Sequence, residues 1–286
     1  MAERLLFYNA SNGAGAIGEL GEKSFDTLTS HEPGSFATGW THVVEFPGND
    51  RRFLFYDRSS GRGALGGLKT ESFGSGVFGE VFRTDQSFPE GAFSSWSHIT
   101  GIFRGGKSTA LFYNNQNGSA ALGFAPTTKA FPTGSFRLGW TQIVFGRRTQ
   151  RPFFYSALDG AACIGFDPTV KFFEPGKFGA WTHIAVGPTF RGGDALLFYQ
   201  AGKNPPRGAV GVLEGNNFQT IWGPESFSRW THVVGSDTGW LFYHSPTGAA
   251  AIGSLDDAGN FTTRLQFPAS AFSPGWTHIV HTGSAT

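Results

Sequence analysis

Short apolar runs and Gly-rich polar segments alternate along the whole chain. One apolar run has the form Trp-Thr-His followed by two small or β-branched residues, with Ser for Thr once and Gln for His once. It recurs six times, starting at Trp40, Trp96, Trp140, Trp181, Trp230 and Trp276. Large and small side chains alternate in this run, which is the period of a strand with one buried face.

A second run ends in Phe-Tyr and is continuously apolar, as expected for a strand buried on both faces. It also recurs six times and ends at Tyr8, Tyr56, Tyr113, Tyr155, Tyr199 and Tyr243. A Gly/Ala-rich run follows each Tyr, and a Phe precedes each Trp by three or four residues, at Phe36, Phe93, Phe136, Phe178, Phe227 and Phe272. Turn-forming pairs such as Asn117-Gly118 lie between the runs. Each unit therefore predicts four short strands joined by tight turns.

The spacing of these units predicts the fold. Successive Trp residues are 56, 44, 41, 49 and 46 residues apart, so six units of about 47 residues occupy nearly all 286 positions. Four strands at a period of 40–50 residues are typical of a β-propeller blade. We therefore predict an all-β chain that forms a single six-bladed β-propeller domain over residues 1–286. An open solenoid would need polar capping repeats, and the terminal units are as Phe-rich as the others.

The two ends of the chain predict how the last blade is assembled. The sequence begins inside a unit, just before Leu5, and ends with the Trp276 run. If the Trp run is the innermost strand of a blade, one strand from the C-terminal end joins three from the N-terminal end. This one-plus-three closure would remove the unpaired edges of an open array.

Composition and charge exclude several classes of protein. Charged residues make up 15% of the chain, against about 25% in an average domain, which argues against coiled coils and charge-driven disorder. The net charge of +1, without a basic tract, argues against a nucleic-acid partner. No run approaches the roughly 18 apolar residues of a membrane span, and no classical signal peptide is visible. We expect a location in the cytoplasm, or export by another route.

Catalytic chemistry has little support in the sequence. We find no nucleophile elbow, zinc-protease helix, phosphate loop or Cys/His zinc spacing, and we predict no catalytic residue, metal or cofactor. The single cysteine, Cys163, excludes an internal disulfide and is interpreted as a small buried hydrophobe. Asp256-Asp257 is interpreted as a turn. The pairs Arg51-Arg52 and Arg147-Arg148 could clamp an anion, but solvated turns explain them as well.

Aromatic and polar side chains supply the candidate binding residues. The six repeated Trp residues either fill the wedges between blades or stack on the apolar face of a sugar. Trp222 and Trp240 lie outside the repeated phrase and are better ligand candidates. The position after each Tyr is polar in every unit and serves either a ligand or a turn. The candidate ligand-binding set is thus the six repeated Trp residues with Trp222, Trp240, Asn9, Asp57, Asn114, Gln200 and His244.

Histidine occupies one equivalent position in five units, two residues after the Trp, and Gln142 takes this position in the sixth. The histidines are His42, His98, His183, His232 and His278. They either bind a metal or an anion or make one repeated hydrogen bond per blade to the neighbouring blade. Gln142 fits the hydrogen-bond interpretation, because an amide can replace an imidazole as donor and acceptor but is a poor transition-metal ligand.

The segments 96–123 and 181–200 resemble degenerate FG-GAP-type blades of propeller lectins. Each contains a Trp-x-x-Ile strand, a Gly-Gly turn and a strand ending in Leu-[Leu/Phe]-Phe-Tyr or its close variant. Tachylectin-like and fungal fucose-lectin propellers share the layout. The resemblance implies a propeller that binds monosaccharides, often fucose-type, at several equivalent sites. The Asp-rich calcium loop of many FG-GAP blades is absent, so we predict no calcium.

These observations favour a multivalent carbohydrate-binding lectin with glycans as its partners. The alternatives are a protein-interaction scaffold and a small-molecule enzyme that uses the propeller face or channel as an apolar pocket. A large non-repeating insertion would favour the enzyme. The best candidate for such an insertion is the segment 74–79, within the longest Trp-to-Trp step.

Overall fold

A computed structural model describes residues 3–21, 24–48, 51–72, 78–123 and 127–284. These residues form 24 β-strands in six four-stranded sheets, and no helix is found among them. The predicted fold class is confirmed: the protein is an all-β, six-bladed β-propeller.

The strands are numbered in chain order, and the sheets are called blades 1 to 6. Blade 1 has the order β24-β1-β2-β3, with strands His278–Ser284, Glu3–Tyr8, Gly15–Leu20 and Phe25–His31. Blade 2 contains β4 to β7, at His42–Glu45, Arg52–Asp57, Arg62–Ser72 and Phe78–Phe88. Blade 3 contains β8 to β11, at His98–Arg104, Lys107–Tyr113, Ala120–Leu122 and Lys129–Phe131.

The remaining three blades each use consecutive strands in chain order. Blade 4 contains β12 to β15, at Gln142–Gly146, Arg151–Tyr155, Ala162–Ile164 and Lys171–Phe173. Blade 5 contains β16 to β19, at His183–Phe190, Gly193–Gln200, Arg207–Glu214 and Asn217–Ser226. Blade 6 contains β20 to β23, at His232–Gly235, Trp240–His244, Ala249–Leu255 and Phe261–Phe267.

Contacts divide the chain into two compact units. The first comprises Met1–Ala110 with Gly275–Thr286 and contains blades 1 and 2. The second comprises Leu111–Pro274 and contains blades 4, 5 and 6. The strands of blade 3 are divided between the units, since β8 belongs to the first and β10 and β11 to the second.

Blade 1 joins the two ends of the chain. Strand β24 pairs antiparallel with β1, so that Val280 faces Leu6, Ile279 faces Phe7 and His278 faces Tyr8. One strand from the C-terminal end thus lies in the same sheet as three from the N-terminal end.

Each unit buries its core between neighbouring blades. In the first unit, Leu6 and Ile17 of blade 1 pack with Phe53, Phe55 and other residues of blade 2. In the second unit, one core cluster joins blades 4 and 5 and another joins blades 5 and 6. Aromatic side chains dominate these layers because large rings fill the space between twisted sheets.

The Phe that precedes each Trp packs between two blades. Phe36 stacks on Phe55, with ring centroids 5.9 Å apart and planes inclined by 30°. The equivalent pair Phe178–Phe198 has a centroid distance of 5.8 Å and an angle of 22°. The repeated Phe that precedes each Trp is therefore a packing residue.

The six Tyr residues have no exposed surface. Each hydroxyl donates a hydrogen bond to a backbone carbonyl in the loop before the next Trp, at Ala37, Ser94, Arg137, Gly179, Ser228 and Ser273. The hydroxyls of Tyr56, Tyr155 and Tyr199 also accept from the backbone N–H of the Trp itself. These bonds fix the loop that starts each Trp strand.

Of the predicted insertion, residues 74–77 lie outside the described residues, and residues 78–79 begin strand β7. The flanking strands β6 and β7 have 11 residues each. They pair antiparallel, from Gly63 opposite Phe88 at one end to Ser72 opposite Phe78 at the other. The longer repeat therefore extends a hairpin.

Candidate functional site

The repeated Trp residues differ in exposure. Trp40, Trp140 and Trp276 are buried, whereas Trp96, Trp181 and Trp230 are half-buried. Trp140 packs on Phe154 at 5.9 Å, and Trp230 packs on Phe242 at the same distance. Packing is thus a shared role, and only the half-buried rings have surface for a ligand.

Arginine side chains lie over two of the buried indoles. The guanidinium carbon of Arg62 is 4.7 Å from the ring centroid of Trp40, and that of Arg137 is 4.9 Å from the ring centroid of Trp140. A cation over an indole face is attracted by the ring quadrupole. These cations occupy a face that a sugar would otherwise use.

The two Trp residues outside the repeat have different environments. Trp240 has no exposed surface, and its indole N–H donates to the Ala185 carbonyl at 3.1 Å. This places Trp240 in the core between blades 5 and 6. Trp222 on β19 is half-buried and lies 5.3 Å from the Phe261 ring. Trp222 therefore has surface available to a ligand.

The polar residues after each Tyr lie where a strand ends or just beyond its end, at the start of a turn. The side-chain oxygens of Asn9, Asp57 and Asn114 each accept from the backbone N–H two residues later, at 2.9 Å. His244 contacts the Thr247 hydroxyl at 2.8 Å, and Gln200 is half-buried at the end of β17. These bonds are those of turn residues, the alternative that the sequence offered.

Asp57 is the most strongly held of these side chains. Burial raises the pKa of its carboxyl, but hydrogen bonds from Ser59 and Ser60, with the Arg62 charge, outweigh burial and lower that pKa to about 2. Asp57 is thus an ionised turn anchor.

The repeated histidines link neighbouring blades. Nε2 of His42 donates to the Ser97 carbonyl at 3.1 Å, and Nε2 of His183 donates to the Thr231 carbonyl at 3.2 Å. In the first unit, His278 reaches the Thr41 carbonyl of blade 2 at 3.2 Å. These contacts support the hydrogen-bond interpretation.

Gln142 reproduces the histidine contact with an amide. Its Nε2 donates to the Thr182 carbonyl at 2.5 Å, and its Oε1 accepts from the Ile184 N–H at 2.6 Å.

Burial lowers the pKa of both His42 and His183, which favours neutral rings.

The charged pairs singled out in the sequence are engaged with neighbouring groups. Arg51 pairs with Glu80, and Arg147 with Asp237 at 3.1 Å. Asp256 accepts from the Asn260 N–H at 2.8 Å within a turn. Cys163 is buried, and burial raises the pKa of its thiol to about 12.

One buried cluster carries no signal in the repeats. Nε2 of His281 is 2.9 Å from Oε2 of Glu3, and Nδ1 is 3.6 Å from Oε1 of Glu45. His281 lies three residues after the repeated His278 and just outside the repeated Trp run. The repeat therefore gave no sign that His281 lies beside Glu3. Glu3 and His281 are buried and Glu45 is half-buried, so the imidazole lies between the carboxylates of two blades.

Two pockets in the second unit have equivalent positions in the repeat. The Phe172 pocket, between blades 3 and 4, has a volume of about 320 Å³, and the Gln266 pocket, between blades 5 and 6, has a volume of about 350 Å³. Each contains six aromatic side chains. Those of the first are Phe131, Phe136, Trp140, Phe154, Phe166 and Phe172, and those of the second are Trp222, Phe227, Trp230, Phe242, Phe261 and Phe267.

The polar residues of the pockets differ. The polar side chains that line the Gln266 pocket are all neutral and belong to Ser226, Ser228, Thr263 and Gln266. The Phe172 pocket includes Ser135, Thr169, Arg137 and Asp167. The structure thus brings together Trp222 and Trp230 of the sequence candidates, and separates them from Trp240 and the turn residues. Sequence reasoning missed Gln266 and Phe172, which lie outside every repeated phrase.

Comparisons with known proteins support the fold. A chain in the crystal structure of a nidogen/laminin complex matches 99% of this chain and 100% of its own length, with 12% identity and a TM-score of 0.55. A Lactobacillus plantarum protein matches with 13% identity and a TM-score of 0.49, covering 94% of this chain and 83% of its own. No protein-family model and no curated protein matches the sequence. At 12% identity, the likeness to the chain of the nidogen/laminin complex concerns the fold alone.

In the part of the chain that the structure describes, no helix has the length and apolar character to cross a membrane.

Proposed function

We propose that this protein is a multivalent carbohydrate-binding protein whose sugars bind in the aromatic pockets between blades. The observation that carries the proposal is the repetition of a six-ring pocket of about 320 to 350 Å³ at equivalent positions. Ligand pockets of roughly 300–1,000 Å³ with apolar walls and a few polar groups are the usual form of small-molecule sites.

The chemistry of the Gln266 pocket suits a neutral monosaccharide. A sugar has an apolar C–H face, which the half-buried rings of Trp222 and Trp230 can cover. Its hydroxyl groups need donors and acceptors, which Ser226, Thr263 and Gln266 offer. The resemblance to propeller lectins makes a fucose-type sugar the first candidate.

A glycan array followed by monosaccharide competition tests this proposal. We expect binding to a restricted set of glycans, and we expect the Trp222→Ala, Trp230→Ala double variant to lose sites in calorimetry. Leu158→Ala is the matched control, because Leu158 is 82% exposed and lies outside both pockets. A folded protein that binds no glycan on the array contradicts the proposal.

A protein-interaction scaffold is the second candidate. Leu138, in the loop that precedes blade 4, is 52% exposed, and Leu158, in a turn of blade 4, is 82% exposed. Cδ1 of Leu158 lies near Gly139, the residue after Leu138. Two exposed leucines on neighbouring loops favour a protein partner over a sugar. Loss of a copurifying partner in Leu138→Ser and Leu158→Ser, without glycan binding by the parent protein, would support the scaffold.

A further inference from the structure

Blade 4 departs from the other blades at one cross-strand pair. The pair lies between the third and fourth strands of the blade. Its first member also faces, on its other side, the Phe of the Phe-Tyr run. In blade 4 it is Cys163, which faces Phe154. In the other five blades it is alanine, namely Ala16, Ala64, Ala121, Ala209 and Ala251.

The second member of the pair also changes character. Phe172 faces Cys163 across β14 and β15, whereas Gln266 faces Ala251 in blade 6. In blades 1, 2 and 3 the facing residues are Ser30, Ser87 and Ala130. Blade 4 therefore has a large apolar ring where blades 1, 2, 3 and 6 have a small or polar side chain. In blade 5 the register of the two strands shifts at this position.

Phe172 is exposed where it borders the pocket. Its side chain is 42% exposed, and its ring lies edge-on to Trp140 with centroids 6.4 Å apart. Phe166 adds a second ring, 6.3 Å from that of Phe154. Leaving a phenyl ring in water is unfavourable, so this position suits an apolar ligand group.

The charged groups of this pocket are already paired. Arg137 pairs with Asp159, and Nζ of Lys129 is 2.5 Å from the Asp167 carboxylate. The raised pKa of Cys163 keeps its thiol neutral. The charges that line the pocket are thus compensated, which favours an uncharged ligand.

We propose that the Phe172 pocket binds the apolar substituent of a glycoside, an aryl or branched alkyl group, whereas the Gln266 pocket binds an unsubstituted sugar ring. The sugar part rests on the proposed function. The apolar part rests on the Cys163–Phe172 pair and its surroundings alone.

Reciprocal substitution tests this assignment. Calorimetry would compare wild type, Phe172→Gln and Gln266→Phe, using methyl and 4-nitrophenyl glycosides of α-L-fucose and β-D-galactose, with 4-nitrotoluene as the substituent alone. In wild type we expect one class of site to bind the aryl glycoside about tenfold more tightly than the methyl glycoside. Phe172→Gln should reduce the preference to about twofold or less, and Gln266→Phe should add a second aryl-preferring site.

Urea unfolding of each variant would verify that both substitutions, at exposed positions, leave the fold intact.

The outcomes separate the two proposals. Equal affinity for aryl and methyl glycosides in wild type, or a preference that survives Phe172→Gln, overturns the assignment. Binding of aryl glycosides and 4-nitrotoluene, without any methyl glycoside, supports the apolar site and contradicts the carbohydrate function. If no probe binds to the wild-type protein, both proposals are overturned.

Discussion

In five of the six blades, the turn that follows the Tyr strand depends on a glycine that lies against a carbonyl group. Five glycines, Gly13, Gly61, Gly118, Gly160 and Gly248, have φ values between 66° and 72°. A Cβ atom on any of them would lie 2.0 to 2.3 Å from the carbonyl oxygen of the repeated Phe. Both the backbone conformation and the lack of space require glycine there.

The turn glycines allow backbone strain to be separated from steric overlap. Gly160 and Gly176 both have positive φ, 69° and 83°, but only Gly160 would place a Cβ against a carbonyl, that of Phe178. We expect Gly176→Ala to lower the free energy of unfolding by about 1 kcal/mol and Gly160→Ala by about 3 kcal/mol or more. Urea denaturation measures both, and equal losses would show that the carbonyl contact is unimportant.

At the scale of strands, β24 completes blade 1. It covers one edge of β1, whose side chains Leu6 and Phe7 are buried. An uncovered β1 would present unpaired backbone groups and an apolar edge.

Removal of β24 should therefore abolish the cooperative unfolding of the first unit. We expect a truncation of residues 275–286 to broaden or remove the thermal transition and to promote aggregation. Deletion of residues 285–286, which follow β24, is the control and should leave the transition unchanged. Calorimetry measures both, and a full truncation that melts like the intact chain would contradict the prediction.

The burial of the histidines that link the blades makes stability depend on pH. Burial, the largest effect, lowers the pKa of His42 and His183, while their backbone bonds raise it in part. The unfolded chain, with histidine pKa values near 6.5, then binds more protons than the folded chain. Stability from these groups is complete above about pH 6.5 and is lost as pH falls through their lowered pKa values.

We therefore expect the free energy of unfolding to be smaller at about pH 5 than at about pH 7.5. His183→Gln is the matched variant, because Gln142 already makes the equivalent bond with an amide. It should retain much of the stability near neutral pH and show a smaller loss on acidification. A loss of the same size in the variant and the wild type would mean that His183 does not contribute.

At the scale of the whole molecule, one blade design is repeated with local changes. The Phe172 and Gln266 pockets share equivalent aromatic positions but differ in their polar residues. Repeated weak sites give strong binding only on surfaces that carry many ligands.

Multivalency predicts a large difference between single sugars and glycan-coated surfaces. We expect free monosaccharides to bind with about −4 to −8 kcal/mol, and coated surfaces to bind roughly 10² to 10⁴ times more tightly. Trp222→Ala with Trp230→Ala should reduce the surface affinity far more than the affinity of the remaining sites. Surface binding no tighter than solution binding would contradict this prediction.

The sequence determined the fold class and most of the strand pattern. Trp, Tyr, Gly and Phe each occupy fixed positions in a repeat, and strand periodicity and turn chemistry act over a few residues. The strand pairing in blade 5 departs from the pattern of the repeat. There Tyr199 faces Gly208, the first residue of its Gly/Ala-rich phrase, whereas Tyr155 faces Ala162, the third residue of its own.

Tertiary structure alone decided which side chains have surface available to a ligand. Trp140 and Trp230 are equivalent in sequence and both border a pocket, but Arg137 lies over the buried Trp140 ring, whereas the Trp230 ring is half-buried. Phe172 becomes a pocket residue only because β15 places it opposite Cys163 and the loop before Trp140 contributes the facing wall. Exposure depends on neighbours from other blades, far apart in sequence, so no local pattern could specify it.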